Sequence, residues 1–429
     1  MDRQHPGLHR FVAIVALVVG GCASGAPASM PVPSATALTA AAIEASPSPA
    51  PSLAVQTPMP VLSATPAPSP TAVPTPTKAK QPKSTPAPAP KPAAGWTAPR
   101  RVGKASHCVT ATAAIDSSSR YHVAAECDGA IHYYVSIDSG RSWKARVFAH
   151  PAGRMDLDPK IGFDGDVAYV AFTRIIPDGG CGGGRGPSVG VYYRSRVLPG
   201  GAWSAAKRIG PAADTLESFQ VQGGILHATV AGKDALPYYE TLQGSAQKRY
   251  AISDEWVDGT SMSIGTDGRA RIAYAGKGGI QYARFTGSGF STRKVPGTTV
   301  WDHHAVLSLD AGDKSHIVWT RNEPATCGES PVGTWYASNA SGSWVTQRIT
   351  KAVGDTSIAA DDATGRVRVL VGSEAGVRYY KRMSDGSWKG TTLASASWAH
   401  SPELSRDPAT AAILVVYIDG ETLRAVTTK

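Results

Sequence analysis

The stretch Trp96-Thr-Ala-Pro-Arg100-Arg-Val102 is the first copy of a pattern that returns along the chain: an aromatic residue, a few polar residues, a base and an aliphatic residue. The other copies are Trp143–Val147, Trp203–Ile209, Gln247–Ile252 (without the aromatic residue), Phe290–Val295, Trp344–Ile349 and, more weakly, Trp388–Leu393. Successive copies lie about 43 to 60 residues apart, which is the length of one four-stranded blade of a β-propeller. We therefore predict an all-β protein in which each copy is the outer strand of a blade.

The number of blades follows from the strands between these copies. In the fourth repeat, Met262–Ile264 and Ala270–Tyr274 alternate around a Thr-Asp-Gly turn and predict the first two strands. Six complete repeats run from about residue 109 to residue 395, and residues 401–429 supply three more strands without an outer one. Residues 94–103 supply an outer strand with nothing before it, so joining the two ends predicts a seventh, composite blade that leaves no open sheet edge. A six-bladed ring is the alternative.

The N-terminus is typical of an export signal. Arg3 and Arg10 precede an apolar run, Phe11–Val19, that is too short to span a bilayer as a mature helix. The run ends in Val19-Gly-Gly-Cys22, which resembles a bacterial lipobox. That resemblance implies cleavage of a 1–21 lipoprotein signal peptide and a lipid on Cys22, which would hold the protein to the membrane at the bacterial cell surface. Ordinary secretion is the alternative.

A low-complexity segment follows the signal. Residues 22–93 are almost entirely Ala, Pro, Ser and Thr, and residues 23–95 hold 18 of the chain's 32 prolines. Such a segment cannot bury enough apolar surface to fold, so we expect a disordered linker over 22–93 and the propeller domain over 94–429.

The distribution of charge limits the classes of partner that the protein is expected to bind. The formal net charge is +10, of which the first 95 residues carry +4, and the remaining bases are spread without any basic run. Clustered Lys and Arg would be expected of a nucleic-acid-binding domain, so that class is disfavoured. A glycan or an extracellular protein is the expected ligand, the expected assembly is a monomer, and no cofactor is indicated.

Four cysteines follow the lipobox: Cys108, Cys127, Cys181 and Cys327. An even number in an exported domain favours disulfides, for which three pairings exist. Cys108 and Cys127 flank one predicted hairpin and are expected to pair locally. Cys181 and Cys327 lie in two similar inserts, and a bond between them would strap the mouth of the ring. No Cys-x-x-Cys or histidine spacing supports a metal site, so none is predicted.

Ser136-Ile-Asp138-Ser-Gly140-Arg-Ser-Trp143 resembles the Asp-box, or BNR repeat, of sialidase-like (neuraminidase-like) β-propellers. The resemblance implies a structural turn between the third and fourth strands. In it Asp138 accepts hydrogen bonds, Gly140 takes a positive φ and Trp143 packs beneath the sheet. It concerns the fold and implies little about chemistry.

The resemblance also implies what a sialidase would require: an arginine triad, a tyrosine nucleophile paired with a glutamate, and an aspartate acid/base. The family carries an Arg-Ile-Pro motif near the start of the domain and has six blades. This sequence has only Arg174-Ile-Ile-Pro177, in the second repeat, and its triad cannot be assigned. An enzyme is therefore not the favoured interpretation.

Three loops that enter first strands carry a repeated signature: Trp256-Val-Asp258, Trp301-Asp302-His303-His304 and Trp398-Ala-His400. Tryptophan faces suit sugar rings, and His, Asp and Arg side chains suit sugar hydroxyls. The candidate ligand-binding residues are Trp256, Asp258, Trp301, Asp302, His303, His304, Trp398, His400, Asp158, Arg174 and Arg321. Alternatively, the tryptophans pack between blades and the polar residues cap turns. A metal on His303, His304 and His400 is a further, less supported alternative.

The preferred interpretation is a surface-anchored lipoprotein that binds an extracellular ligand, above all a carbohydrate. The first alternative is a sialidase-like exo-glycoside hydrolase, with a carboxylate pair drawn from Glu217, Glu255, Glu323, Glu403, Asp258 and Asp302. The second alternative is a scaffold for protein–protein interaction without a small-ligand pocket.

Overall fold

The computed structural model describes residues 92–178, 186–325, 328–360, 366–396, 398–407 and 409–428. These residues form 28 strands and no helix, so no helix in the described ranges could cross a membrane. The strands make seven antiparallel four-stranded sheets. The predicted signal peptide and nearly all of the predicted linker lie outside the described residues, as do Cys181 and Cys327.

The strands in chain order are β1 (Arg100–Arg101), β2 (Cys108–Ile115), β3 (Tyr121–Cys127), β4 (Ala130–Ser136), β5 (Lys144–Val147), β6 (Met155–Asp164), β7 (Val167–Ile175), β8 (Ser188–Val197), β9 (Lys207–Ile209), β10 (Thr215–Gln222), β11 (Ile225–Ala231), β12 (Pro237–Gln243), β13 (Ala246–Ala251), β14 (Asp258–Ile264), β15 (Ala270–Gly276), β16 (Gly279–Phe285), β17 (Phe290–Lys294), β18 (Asp302–Leu309), β19 (Ser315–Ala325), β20 (Gly328–Ser338), β21 (Val345–Thr350), β22 (Asp355–Ala360), β23 (Val367–Ser373), β24 (Gly376–Arg382), β25 (Trp388–Ala394), β26 (Ala399–Arg406), β27 (Ile413–Asp419) and β28 (Thr422–Thr427). Blades 1 to 6 are β2–β5, β6–β9, β10–β13, β14–β17, β18–β21 and β22–β25, each in sequence order.

Blade 7 joins the two ends of the chain. Its strand order is β26, β27, β28 and then β1, with Arg100 opposite Ala425 and Arg101 opposite Arg424. Neighbouring first strands contact one another around the whole ring, including β26 with β2. The prediction of seven blades with a composite closing blade is confirmed, and the six-bladed alternative is wrong.

The repeated aromatic residue holds adjacent blades together. In five blades it packs against a third-strand tyrosine of the preceding blade, with ring centroids 4.9 to 5.7 Å apart. The pairs are Trp203–Tyr133, Phe290–Tyr239, Trp344–Tyr282, Trp388–Tyr336 and Trp96–Tyr379. Edge-on aromatic pairs add about 0.5 to 1.5 kcal/mol beyond the area they bury. The aromatic residue of the repeat therefore packs one blade against the next.

Burial explains the sequence of each strand. The second strands are buried on both faces, and β27 accordingly reads Ile-Leu-Val-Val-Tyr-Ile before its final Asp419. The outer strands are exposed and polar, as β5 and β17 show.

We call the face where the first strands begin the mouth face. The opposite face, which holds the turns within each hairpin of strands one and two, is the turn face.

The predicted local disulfide is confirmed. Cys108 and Cys127 stand opposite each other at the mouth end of β2 and β3, with a Cα–Cα distance of 4.0 Å, and their sulfur atoms are bonded. The predicted strap between Cys181 and Cys327 stays a prediction, because both residues lie outside the described ranges.

Candidate functional site

Two of the three predicted loop tryptophans are exposed on the mouth face. Trp256 is 65% and Trp398 is 60% exposed, although large apolar side chains are usually covered in a folded protein. Trp301 is half-buried. Packing between blades, the alternative role for these side chains, therefore does not describe Trp256 or Trp398.

Each exposed tryptophan borders a cavity. The Trp256 cavity, of about 550 Å³, lies between blades 4 and 5 and is lined by Glu255, Trp256, Asp258, Lys277, Val300, Asp302 and His303, among others. The Trp398 cavity, of about 590 Å³, lies among blades 5, 6 and 7 and is lined by His303, His304, Thr320, Asn322, Lys351, Asp355, Glu374, Trp398 and His400, among others. His303 lines both cavities, so the two are adjacent, and we call the pair the mouth groove.

The middle of the mouth groove is polar. His303 Nδ1 lies 3.2 Å from Asp258 Oδ2, and His304 Nδ1 lies 3.6 Å from the same oxygen. Asp258 and His303 each have 27% of the side chain exposed, and His304 has 69%. Three predicted residues from two neighbouring blades therefore meet, and the side chains of Asp258 and His304 remain partly exposed there.

β-bulges shape the first strands at this end. Register shifts occur near the mouth end of the first strands in six blades, for example between His303 and Val306 and between His400 and Glu403. Three non-glycine residues inside bulges have positive φ: Asp158 at 52°, His304 at 54° and Ser401 at 47°. Bulges re-aim side chains, and left-handed conformations in non-glycine residues cost roughly 1 to 3 kcal/mol and concentrate at functional sites.

The two predicted arginines, Arg174 and Arg321, are each paired with an aspartate instead of being open to a ligand. Arg174 donates from Nε to Asp156 Oδ1 at 2.6 Å and from a terminal nitrogen to Oδ2 at 2.9 Å. Arg321 makes the same pair of bonds to Asp302, at 2.6 and 2.7 Å. Asp156 and Asp302 are buried. Because both charges of each pair are already matched, Arg174, Arg321 and Asp302 have less to offer a ligand than Asp258 has.

An aromatic ring of the third strand covers each guanidinium. Arg174 lies 4.6 Å from the ring centre of Tyr192, and Arg321 lies 4.0 Å from that of Trp335. The two inserts that resemble each other in sequence thus share one Asp–Arg–aromatic arrangement, in blades 2 and 5. The assignment of Arg174 and Arg321 to ligand binding stays a prediction.

The remaining candidates are dispersed. The Asp158 amide donates to Glu126 at 3.2 Å, and His400 Nε2 lies 3.1 Å from the Gly420 carbonyl oxygen. Glu255 borders the Trp256 cavity, while Glu323 is exposed in the blade 5 insert. No three His, Cys, Asp or Glu side chains within the described ranges are arranged to hold a metal ion.

Two carboxylates from the predicted set lie in the central channel. Burial raises the pKa of Glu403 to about 7 and raises the pKa of Glu217, and the charge of Lys160 opposes both shifts. Lys160, Glu217 and Glu403 belong to the first strands of blades 2, 3 and 7, so their mutual influence places them around the channel near its mouth. Sequence reasoning missed Lys160, because a lone lysine in a strand looks like an ordinary solvated residue.

Three buried histidines also escaped prediction. His227 and His316 each lie 2.7 Å from a third-strand tyrosine hydroxyl, and His122 contacts the Tyr133 hydroxyl in the same way. Burial lowers the pKa of all three, to about 4 for His227. Each lies near the start of its blade's second strand, at the second residue in β3 and β19 and at the third in β11, which is a signal that the sequence contained. They join strands inside a blade.

Comparison with protein-family models finds no match, and comparison with characterised proteins by sequence finds none. Among solved structures, a Dyadobacter fermentans protein of unknown function has a TM-score of 0.50 and 10% identity, covering 78% of this chain and all of its own. An α-L-arabinofuranosidase from Fusarium graminearum has a TM-score of 0.48 and 10% identity, over 78% of this chain and 98% of its own. A sialidase from Streptococcus pneumoniae has a TM-score of 0.45 and 10% identity, over 78% and 70%. The likeness to the Dyadobacter protein concerns the fold alone.

Proposed function

We propose that this protein binds an extended extracellular oligosaccharide in the mouth groove. The observation that carries the proposal is the pair of exposed tryptophans, Trp256 and Trp398, at two contiguous cavities that share His303. An exposed indole offers a flat apolar surface to the C–H face of a pyranose ring. Two such surfaces on either side of a polar centre suit a chain of several sugars better than a single one.

The polar centre supports the same class of ligand. Sugar hydroxyls both donate and accept hydrogen bonds, and the Asp258 carboxylate accepts while imidazoles can do either. Asp258 and His304 are partly exposed, so they can exchange water for a ligand hydroxyl without breaking a buried network, while His303 is held against Asp258. Ligand sites commonly combine apolar walls with a few such groups.

A glycan array probed with the purified full-length chain tests this proposal. Trp256→Ala and Trp398→Ala are each expected to weaken binding roughly tenfold or more, because central aromatic contacts often carry over 2 kcal/mol of binding free energy. Ile137→Ala is the matched control, since Ile137 is 74% exposed but lies on the turn face. Binding that survives both tryptophan substitutions, or an array without any binding, would contradict the proposal.

A sialidase-like or other exo-glycoside hydrolase is the second candidate. It is favoured by Glu403, whose pKa of about 7 would suit a general acid at neutral pH, with Glu217 also in the channel. Fluorogenic glycosides added to the array sample distinguish the two, because a binding protein releases no fluorophore.

The lipid anchor is also a proposal, and the Val19-Gly-Gly-Cys22 sequence supports it. Cys22→Ala is expected to abolish incorporation of labelled fatty acid in a bacterial host and to move the protein out of the membrane fraction. Labelling that persists in this variant would contradict the anchor.

A further inference from the structure

A third cavity lies on the turn face, where the chain closes between blades 7 and 1. This seam cleft has a volume of about 710 Å³ and lies opposite the mouth groove. It is lined by Thr97, Arg100, Ser119, Tyr121, Ser139, Gly140, Arg141, Asp407, Thr410, Ala411, Ala412, Ala425, Thr427 and Thr428. It shares no lining residue with the mouth groove.

Two arginines give the seam cleft its charge. Arg100 lies on the outer strand of blade 7 and Arg141 lies in the turn before β5, and both side chains are exposed. Within the described ranges, neither guanidinium has a carboxylate at ion-pair distance, whereas Arg174 and Arg321 are each matched by an aspartate. Two unmatched guanidinium groups facing one cavity favour an anion between them.

Asp407 is the acidic residue that faces these arginines. It is buried, accepts from the Thr410 hydroxyl at 2.6 Å and from the Ala409 amide at 2.8 Å, and also bonds the Ser119 side chain. Burial alone would raise the pKa of Asp407, but these hydrogen bonds lower it overall, so the residue is ionised. Hydrogen bonds within its own turn stabilise the Asp407 carboxylate. The two arginines exceed this single negative charge, so the cleft has a net positive charge.

The walls of the cleft are rich in hydroxyls and hydrogen-bonded turns. Six of its residues are Ser or Thr, and the Thr97 and Thr427 hydroxyls lie 3.3 Å apart. The turn that carries Ser139 and Arg141 is fixed by Asp138, which accepts from the Ser142 amide at 2.9 Å and the Ser142 hydroxyl at 2.6 Å. A Cβ on Gly140 would approach Thr427 within 3.2 Å, so turn and blade 7 are closely packed.

We propose that the seam cleft is a second binding site, specific for an acidic saccharide that carries a carboxylate or sulfate group. Arg100 and Arg141 would hold the anionic group, and the surrounding hydroxyls would exchange hydrogen bonds with those of the sugar ring. The cleft sets hydroxyl groups beside the apolar surface of Tyr121 and of three alanines, which matches the hydroxyls and the C–H faces of a sugar ring.

Titration of the full-length chain followed by NMR tests the proposal, with D-glucuronate, inorganic sulfate and D-glucose as probes. Glucuronate is expected to bind more tightly than sulfate, glucose is expected not to bind at this site, and added salt should weaken the binding. Arg100→Ala and Arg141→Ala should each raise the Kd for glucuronate roughly tenfold.

Arg146→Ala is the matched control, because Arg146 is likewise exposed on an outer strand but lies outside the cleft. Arg100→Lys keeps the charge without the fork of donors, and should lose part of the affinity. An equal loss in Arg146→Ala would overturn the proposal, because attraction would then come from overall charge. Equal affinity for sulfate and glucuronate would overturn the assignment to a saccharide, and no glucuronate binding would overturn the site.

Discussion

Asp302 and Asp258 begin the first strands of neighbouring blades, one and two residues after a tryptophan, yet only Asp258 is available to a ligand. Each is the first residue of its blade's first strand, and each stands at the first cross-strand pair. Asp302 stands opposite Arg321, which donates two hydrogen bonds to it and leaves it 1% exposed. Asp258 stands opposite Ala275, is 27% exposed, and meets His303 from the next blade. The residue that stands opposite each aspartate on the second strand therefore separates a paired, buried aspartate from one that is open to a ligand.

The other blades extend this comparison. Blade 2 repeats the Asp–Arg pair at Asp156 and Arg174, and blade 1 places the Cys108–Cys127 disulfide at the same cross-strand position. Three of the blades thus close the mouth end of their first hairpin with a bond between side chains. Blade 4 does not, and its aspartate becomes part of a groove.

The largest effect is expected from removing the matched aspartate. Asp302→Ala should lower the free energy of unfolding by about 3 to 5 kcal/mol, because it leaves the largely buried Arg321 charge unpaired. Asp258→Ala should cost no more than about 1 kcal/mol, since its interactions are partly exposed. Urea unfolding of both variants at pH 7, followed by tryptophan fluorescence, measures the difference.

The two substitutions should also differ in their effect on ligand affinity. Asp258→Ala is expected to weaken the glycan binding proposed for the mouth groove, while its fold stays intact. Equal losses of stability in the two variants would show that the cross-strand partner does not decide the role of the aspartate.

A smaller change in the free energy of unfolding, of opposite sign, is expected for Glu403 in the channel. The residue opposite Glu403 on the neighbouring strand is Val416, which cannot pair with its charge. Its folded-state pKa of about 7 lies above its ordinary value of 4.5, so ionisation opposes folding. The stability is therefore complete below about pH 4.5 and falls as the pH rises through 7. Glu403→Gln should raise the unfolding free energy at pH 8 by about 1 to 3 kcal/mol, after allowance for water in the channel.

The same variant supplies its own control. At pH 4 the wild-type carboxyl is protonated in both states, so Glu403→Gln should leave the unfolding free energy nearly unchanged. Thermal unfolding measured at pH 4 and pH 8 tests this dependence. A gain of the same size at both pH values would mean that the carboxylate charge is not its cause.

Much of the fold was predictable because its signals are local. Trp203 and Phe290 mark outer strands by an aromatic–base–aliphatic pattern, and the unmatched outer strand near Arg100 implied closure by blade 7. The candidate site was predictable only in part. Trp256 and His303 were identified as mouth-face residues, but the sequence could not show that Asp302 is paired and Asp258 is open, since Arg321 lies 19 residues from Asp302.

By itself, the sequence determined the propeller, its seven blades, their closure and the pairing of Cys108 with Cys127, because these depend on strand alternation, repeat length and neighbouring positions. Only the tertiary structure decided which polar residues are matched. Arg321 reaches Asp302 across a strand pair, Lys160 influences Glu403 across the channel, and Arg100 and Arg141 line one cavity at the seam. Residues so far apart in the chain meet only when the ring closes, and their charges then determine which surfaces remain open to a ligand.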